Sequence, residues 1–197
     1  MIYICGDSFG VSDPEYGGMW AEQLAVPVVN LCAVSASNLL ISRQLDRAIA
    51  EQAAGIIVLF TSCTRGETRR NGCDIPWSWH TASEKTTPFN SRELSILQDY
   101  FGVFHDLELA IDLNRCVIES SLYRLEQSAI PFVWDQGGFE HSSMGGRQEY
   151  FKEYAHTRSD LCLWDLARTR EYRPYYHITD PAIHQRIADY YNEWIDK

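Results

Sequence analysis

The six residues Gly55-Ile56-Ile57-Val58-Leu59-Phe60 constrain this chain more than any others. A strand with one face in water alternates apolar and polar residues. An unbroken apolar run of this length instead fits a strand buried on both faces, as in the middle of a parallel sheet. Parallel neighbours need crossover connections, so helices must lie between the strands. The flanking sequence supplies both kinds of element. Residues 2–5, 26–31, 129–134 and 161–164 read as further strands. Residues 19–24 carry Trp20 and Leu24 at helical spacing, and apolar positions 40, 41, 45, 48 and 49 continue a helix that Ser37 or Asn38 can cap. The fold class is therefore α/β: a three-layer α/β/α sandwich with a mainly parallel sheet of about five strands, formed as one domain over residues 1–197.

Residues 92–128 are helical in character with a break near Gly102, and 146–157 fit another helix. The last helix starts at Pro181, capped by Thr179 or Asp180. Residues 61–92 are rich in Thr, Ser, Gly and Pro and are expected to be a long loop at the ligand edge; loops this long are usually functional. Within it, Trp77, Trp79 and His80 suit either a lid or packing onto the domain. In parallel sheets ligands bind beyond the carboxyl ends of the strands, where Ser8, Ser35, Thr61 and Asp135 would fall.

The formal net charge of −10, with no run of Lys or Arg, argues against nucleic acid as a partner, since phosphate contacts dominate that affinity, and disfavours an anionic membrane surface. No apolar stretch approaches the length of a membrane span. The six cysteines include no C-x-x-C pair, so neither a zinc site nor any other metal or cofactor is expected. With no export signal in view, the expectation is a cytoplasmic protein with reduced thiols.

The chain opens MIYICGDSFG, and Gly6-Asp7-Ser8 directly follows the first strand. A serine hydroxyl attacks only when a base removes its proton and donors await the oxyanion. A base is available near the other end, where His177 precedes the terminal helix. His184, inside the first turn of that helix, reads as a packing histidine.

GDS after the first strand and a His before the last helix are similar to the SGNH (GDSL) hydrolase superfamily, whose members are serine esterases and acylhydrolases on a flavodoxin-like sheet. NLCAVSASNLLISRQL and VLFTSCTRGE resemble the second and third blocks of a divergent, phage-like subgroup, so that the likeness spans most of the first 65 residues. The resemblance implies Ser8 as nucleophile and first oxyanion donor, and His177 as general base. Ser35, or Ala36 in a register shifted by one, stands where the family has its oxyanion Gly. The third block's Asn is absent, which leaves Thr61, Ser62 or Asn38 as substitutes. Pro174 stands where the family's acid precedes the His, so Ser8 and His177 form a dyad or take Asp180 or Asp165 as acid. Arg65 could bind a substrate anion. The implied activity is ester hydrolysis on a small-molecule or carbohydrate substrate such as an O-acetyl sugar. Two other readings stay open: a catalytically degenerate SGNH fold serving as a binding module, and a phosphoesterase using Arg65, Arg69 and Arg70.

Overall fold

The computed structural model describes residues 1–12, 19–71, 73–77, 89–135, 148–161, 163, 166, 178 and 180–197. Four parallel strands, β1 (Ile2–Gly6), β2 (Val28–Asn30), β3 (Gly55–Leu59) and β6 (Phe132–Asp135), form a sheet of order β2-β1-β3-β6. In register, Cys5 lies opposite Val58, and Val58 opposite Trp134. The apolar run predicted to be central is central: every residue of β3 is buried.

Alternation along each strand divides the core into two halves. Tyr3, Cys5, Ile56, Val58 and Trp134 face one side, where they meet Ile41, Leu45 and Ala48 of α1 (Asn38–Ala50) and Ile118, Leu122 and Leu125 of α3 (Leu107–Ser128). Ile2, Ile4, Ile57, Leu59 and Val133 face the other side. They pack on Trp20, from a 3-10 helix at Met19–Gln23, and on Ile187, Ala188 and Tyr191 of α4 (Pro181–Ile195). Helices on both faces of a parallel sheet give the three-layer α/β/α arrangement.

Two expectations need correction. Of the run at 161–164, expected to be a further strand, the described residues Leu161 and Leu163 are not in the sheet. Leu163 is helical, and Leu163 and Leu166 are both buried, at a three-residue spacing that suits one helix face. Among the described residues, the ladder continues beyond β6 as an isolated parallel bridge between Trp134 and Arg158. The segment 61–92 is also not all loop: β4 (Gly66–Arg70) and β5 (Cys73–Trp77) pair antiparallel in a separate hairpin. Asn71 sits at its turn with φ 52°, and Asn-Gly is the strongest short hairpin signal in any sequence. Gly66 is required there, because a Cβ would lie 2.4 Å from the Trp77 ring. Trp77 packs edge-on against Tyr100 and Phe101, so this tryptophan serves packing. Trp79 and His80 lie outside the described residues.

The break near Gly102 is a change of helix type. α2 (Ser91–Asp99), capped by Asn90 and Glu93, runs into a π-helical turn at Tyr100–Phe104, closed by the bond from His105 N–H to the Tyr100 carbonyl. Extended backbone at His105 and Asp106 then leads into α3. Residues Gln148–Thr157 form a 3-10 segment with a kink at Phe151. Asp180 caps α4, with Pro181 first, as expected.

Candidate active site

The first strand ends at Gly6, where two neighbours come too close for a side chain. A Cβ there would lie 2.8 Å from Leu59 Cβ and 3.3 Å from Cys32 Sγ. α1 then holds the strand end with a side-chain amide. Gln44 Oε1 accepts from Gly6 N–H at 2.7 Å, and its Nε2 donates to the Gly6 carbonyl at 3.3 Å.

The turn that follows is pinned around Ser8. Asp7 Oδ1 accepts from Phe9 N–H at 3.0 Å, and the Asp7 carbonyl from Gly10 N–H at 3.1 Å. Val11 N–H donates to the Ser8 carbonyl, Trp20 Nε1 to the Phe9 carbonyl at 3.0 Å, and Asn30 Nδ2 to the Gly10 carbonyl at 2.6 Å. Among the described residues, by contrast, neither the Ser8 N–H nor its hydroxyl has a hydrogen-bond partner, although Ser8 is only 2% exposed. The Ser8 Oγ is not among the buried side-chain atoms that lack a partner, so the hydroxyl keeps access to the space beyond the turn while its neighbours are tied down.

Behind the turn lies a buried ion pair that the sequence reading missed. Asp7 is fully buried. Its Oδ2 accepts from Thr61 Oγ1 at 2.8 Å and pairs with Arg65 Nη1 at 3.1 Å, the Arg65 side chain being 12% exposed. Burial lowers the Arg65 guanidinium pKa, and Asp7 pulls it back upward. The charge of Arg65 is thus matched inside the protein by Asp7.

Asn38 has a related role. Its Nδ2 donates to the Thr61 carbonyl at 2.9 Å and to Asn114 Oδ1 at 2.8 Å, while its Oδ1 accepts from Thr61 N–H at 2.8 Å. Both amide hydrogens are engaged, so Asn38 clamps the end of β3 and offers no donor to an oxyanion. Asn114 extends the clamp by donating to the Cys63 carbonyl at 3.2 Å. Its one sequence signal is a polar residue one turn before Ile118 on the buried stripe of α3.

Ser35 has a left-handed backbone, φ 60°, a conformation that favours glycine. It lies in the short segment between β2 and the Ser37 cap of α1, and the Ser37 side chain accepts from Leu40 N–H. Ser37 also donates to Glu67 of the hairpin at 2.7 Å, and Arg43 pairs with the same carboxylate. This places β4 over the start of α1, beside the site. Arg70 pairs with Glu93 at 2.5 Å, so Arg65 and Arg70 are each matched by a carboxylate.

α4 approaches the same edge. Trp194, near its end, would lie 3.3 Å from a Cβ at Gly55, the first residue of β3, so the helix runs antiparallel to the strands and starts at their carboxyl side. There Asp180 accepts from Ala182 N–H at 3.0 Å as the helix cap. His184 is buried with its Nδ1 unpartnered. Burial lowers its pKa, while the Ile178 carbonyl and Asp180 act in the opposite direction. His177, Pro174, Asp165, Thr179 and the glycine-rich turn after Asp135 lie outside the described residues.

The cysteines near the sheet edge are neutral thiols: burial pushes Cys5 and Cys32 well up and raises Cys63. Among the described residues no group of three His, Cys, Asp or Glu side chains could hold a metal ion, and no helix is long and apolar enough to cross a membrane. No protein-family model matches the chain, and no curated protein matches it.

Proposed function

We propose that this chain is a serine ester hydrolase of the SGNH type, with Ser8 as nucleophile. The observation that carries the reading is the turn at Asp7–Gly10, where neighbouring backbone groups are bonded while, among the described residues, the Ser8 N–H and hydroxyl are not. Ser8 Oγ attacks an acyl carbonyl as His177 takes its proton. The Ser8 N–H and the backbone at Ser35 hold the oxyanion, and the left-handed conformation of Ser35 supports its standing where the family has glycine. The proton returns to the leaving alcohol, and water then releases the acyl group from Ser8. Asp7, Thr61, Arg65 and Asn38 position the turn. Asp180 orients His177 only if it can do so while capping α4.

The substrate class is a small ester, an O-acetyl group on a carbohydrate being preferred. No cofactor takes part in this scheme. The proposed setting is cytoplasmic.

Hydrolysis of p-nitrophenyl acetate and labelling by a fluorophosphonate probe test the reading. Ser8→Ala is expected to abolish labelling and to lower kcat/KM at least a hundredfold. Equal inertness of wild type and variant, with Ser8 unlabelled, would instead favour a degenerate SGNH fold that binds without catalysis. The saturation of Asn38, whose amide is thereby withheld from the oxyanion, favours that second reading. Activity on phosphate esters that survives Ser8→Ala would point to the arginine loop.

A further inference from the structure

Away from the sheet edge, the helical region from α2 into α3 carries an unusual surface. Ile96, Val103, Phe104, Leu107, Leu109 and Leu113 are between 50% and 74% exposed, all within eighteen consecutive residues. Isolated exposed apolar residues are ordinary, but Leu109 and Leu113 share one side of α3 at i, i+4, just after the exposed Val103 and Phe104, and apolar exposure this dense along one segment marks an interaction surface. Their placement follows from the π-helical turn. Tyr100 and Phe101 turn toward Trp77, which leaves Val103 and Phe104 pointing outward. A Cβ at Gly102 would meet nothing within 4 Å, so the backbone between them is open as well.

The charges on this segment select the occupant. Between Arg92 and Arg115 every formally charged side chain is acidic: Glu93, Asp99, Asp106, Glu108 and Asp112. Glu93 is matched by Arg70, which leaves four exposed carboxylates interleaved with the apolar residues. Arg115, at the far end, is matched by Glu119. A second copy of this face would bring four carboxylates against four others. An anionic lipid surface would be repelled in the same way. A chain with an apolar stripe flanked by Lys and Arg satisfies both properties, burying the apolar side chains at the centre and pairing the acids at the rim.

We infer that the exposed apolar side chains of the π-helical turn and the start of α3, Val103, Phe104, Leu109 and Leu113, dock a cationic amphipathic helix of a partner protein. The docking mode is that of a helix laid on an apolar surface, with anchors at i, i+4 and i+7 and basic residues beside them. It involves no residue of the candidate active site.

The test uses the full-length chain and a labelled eighteen-residue Leu/Lys amphipathic peptide, followed by fluorescence anisotropy. A peptide of the same pattern with Glu in place of Lys is the control. The Leu/Lys peptide is expected to bind and the Leu/Glu peptide to fail. Val103→Ser/Phe104→Ser and Glu108→Lys/Asp112→Lys are each expected to weaken binding at least tenfold, with the helical circular dichroism and melting temperature unchanged. Raising the salt from 50 to 500 mM should weaken the wild-type interaction. Three results would overturn the inference: binding that both double variants leave intact, a wild-type dimer in sedimentation that Val103→Ser/Phe104→Ser dissociates, or recruitment to phosphatidylserine vesicles in place of the peptide.

Discussion

The carboxyl edge of β1 and β3 buries polar side chains, and the surface of α2 and α3 exposes apolar ones. Both invert the ordinary distribution of a folded chain, and they differ in how the inversion is met. At the sheet edge the polar groups answer one another: Asp7 holds Thr61 and Arg65, Asn38 holds both backbone groups of Thr61, and Gln44 does the same for Gly6. Ser8 is the exception, with no bond to its hydroxyl or N–H among the described residues. On the helical surface nothing described answers Val103 or Phe104, which are 73% and 74% exposed. A buried polar group without a partner costs free energy in the folded state itself, so the protein saturates it. An exposed apolar group costs little until it has something to bury against. The first region is accordingly built for rigidity, and the second for association.

That contrast breaks most visibly at Arg65. Arg65→Met leaves the Asp7 carboxylate buried without its cation, and is expected to cost about 3–5 kcal/mol in urea unfolding. Asp7→Asn/Arg65→Met should recover most of the loss, because Asn keeps the acceptor for Phe9 N–H. A single variant within 1 kcal/mol of wild type would mean that the pair is not what secures the turn.

His184 sharpens the comparison by pH. Its pKa in the folded state is lowered below the ordinary histidine value, so protonation favours the unfolded chain. Its stabilising neutral form is fully present above about pH 6.5, and stability falls as the pH drops below that value, by at most about 1.4 kcal/mol per pH unit for one proton. Urea midpoints between pH 7.5 and 5.5 should show a steeper decline for wild type than for His184→Asn. Parallel curves would mean that the ring is open to water.

The smallest effect belongs to the helical surface. Val103→Ser/Phe104→Ser is expected to change stability by no more than about 0.5 kcal/mol, the usual range for exposed positions. A larger loss would place these side chains in the folding core and remove the contrast.

Much of the architecture could be read from the chain. The unbroken run at β3, the periodicity of α1 and the Asp180-Pro181 start of α4 are local signals, and each element forms where its signal lies. The hairpin at 66–77 was equally legible through Asn71-Gly72, but the density of polar residues around it suggested loop. The run at 161–164 reads equally well as a strand or a buried helix, and at Leu163 the chain is helical.

At the site, residue types near strand ends marked Ser8, Ser35 and Thr61, since the topology carries them to one edge whatever their side chains do. The roles of Asp7, Asn38 and Arg65 were not legible. Arg65 and Asn38 read from sequence as groups facing a ligand, and the structure turns them inward onto Asp7 and Thr61. A hydrogen bond between residues 58 positions apart depends on which strands are neighbours and how closely they approach, and local pattern encodes neither. Sequence alone therefore determined the layers, the parallel sheet and the edge where chemistry can occur, because periodicity and chain connectivity set these. Only the tertiary structure decided which polar groups saturate one another, because pairing in a dry interior is settled by distances of a few ångströms between distant parts of the chain.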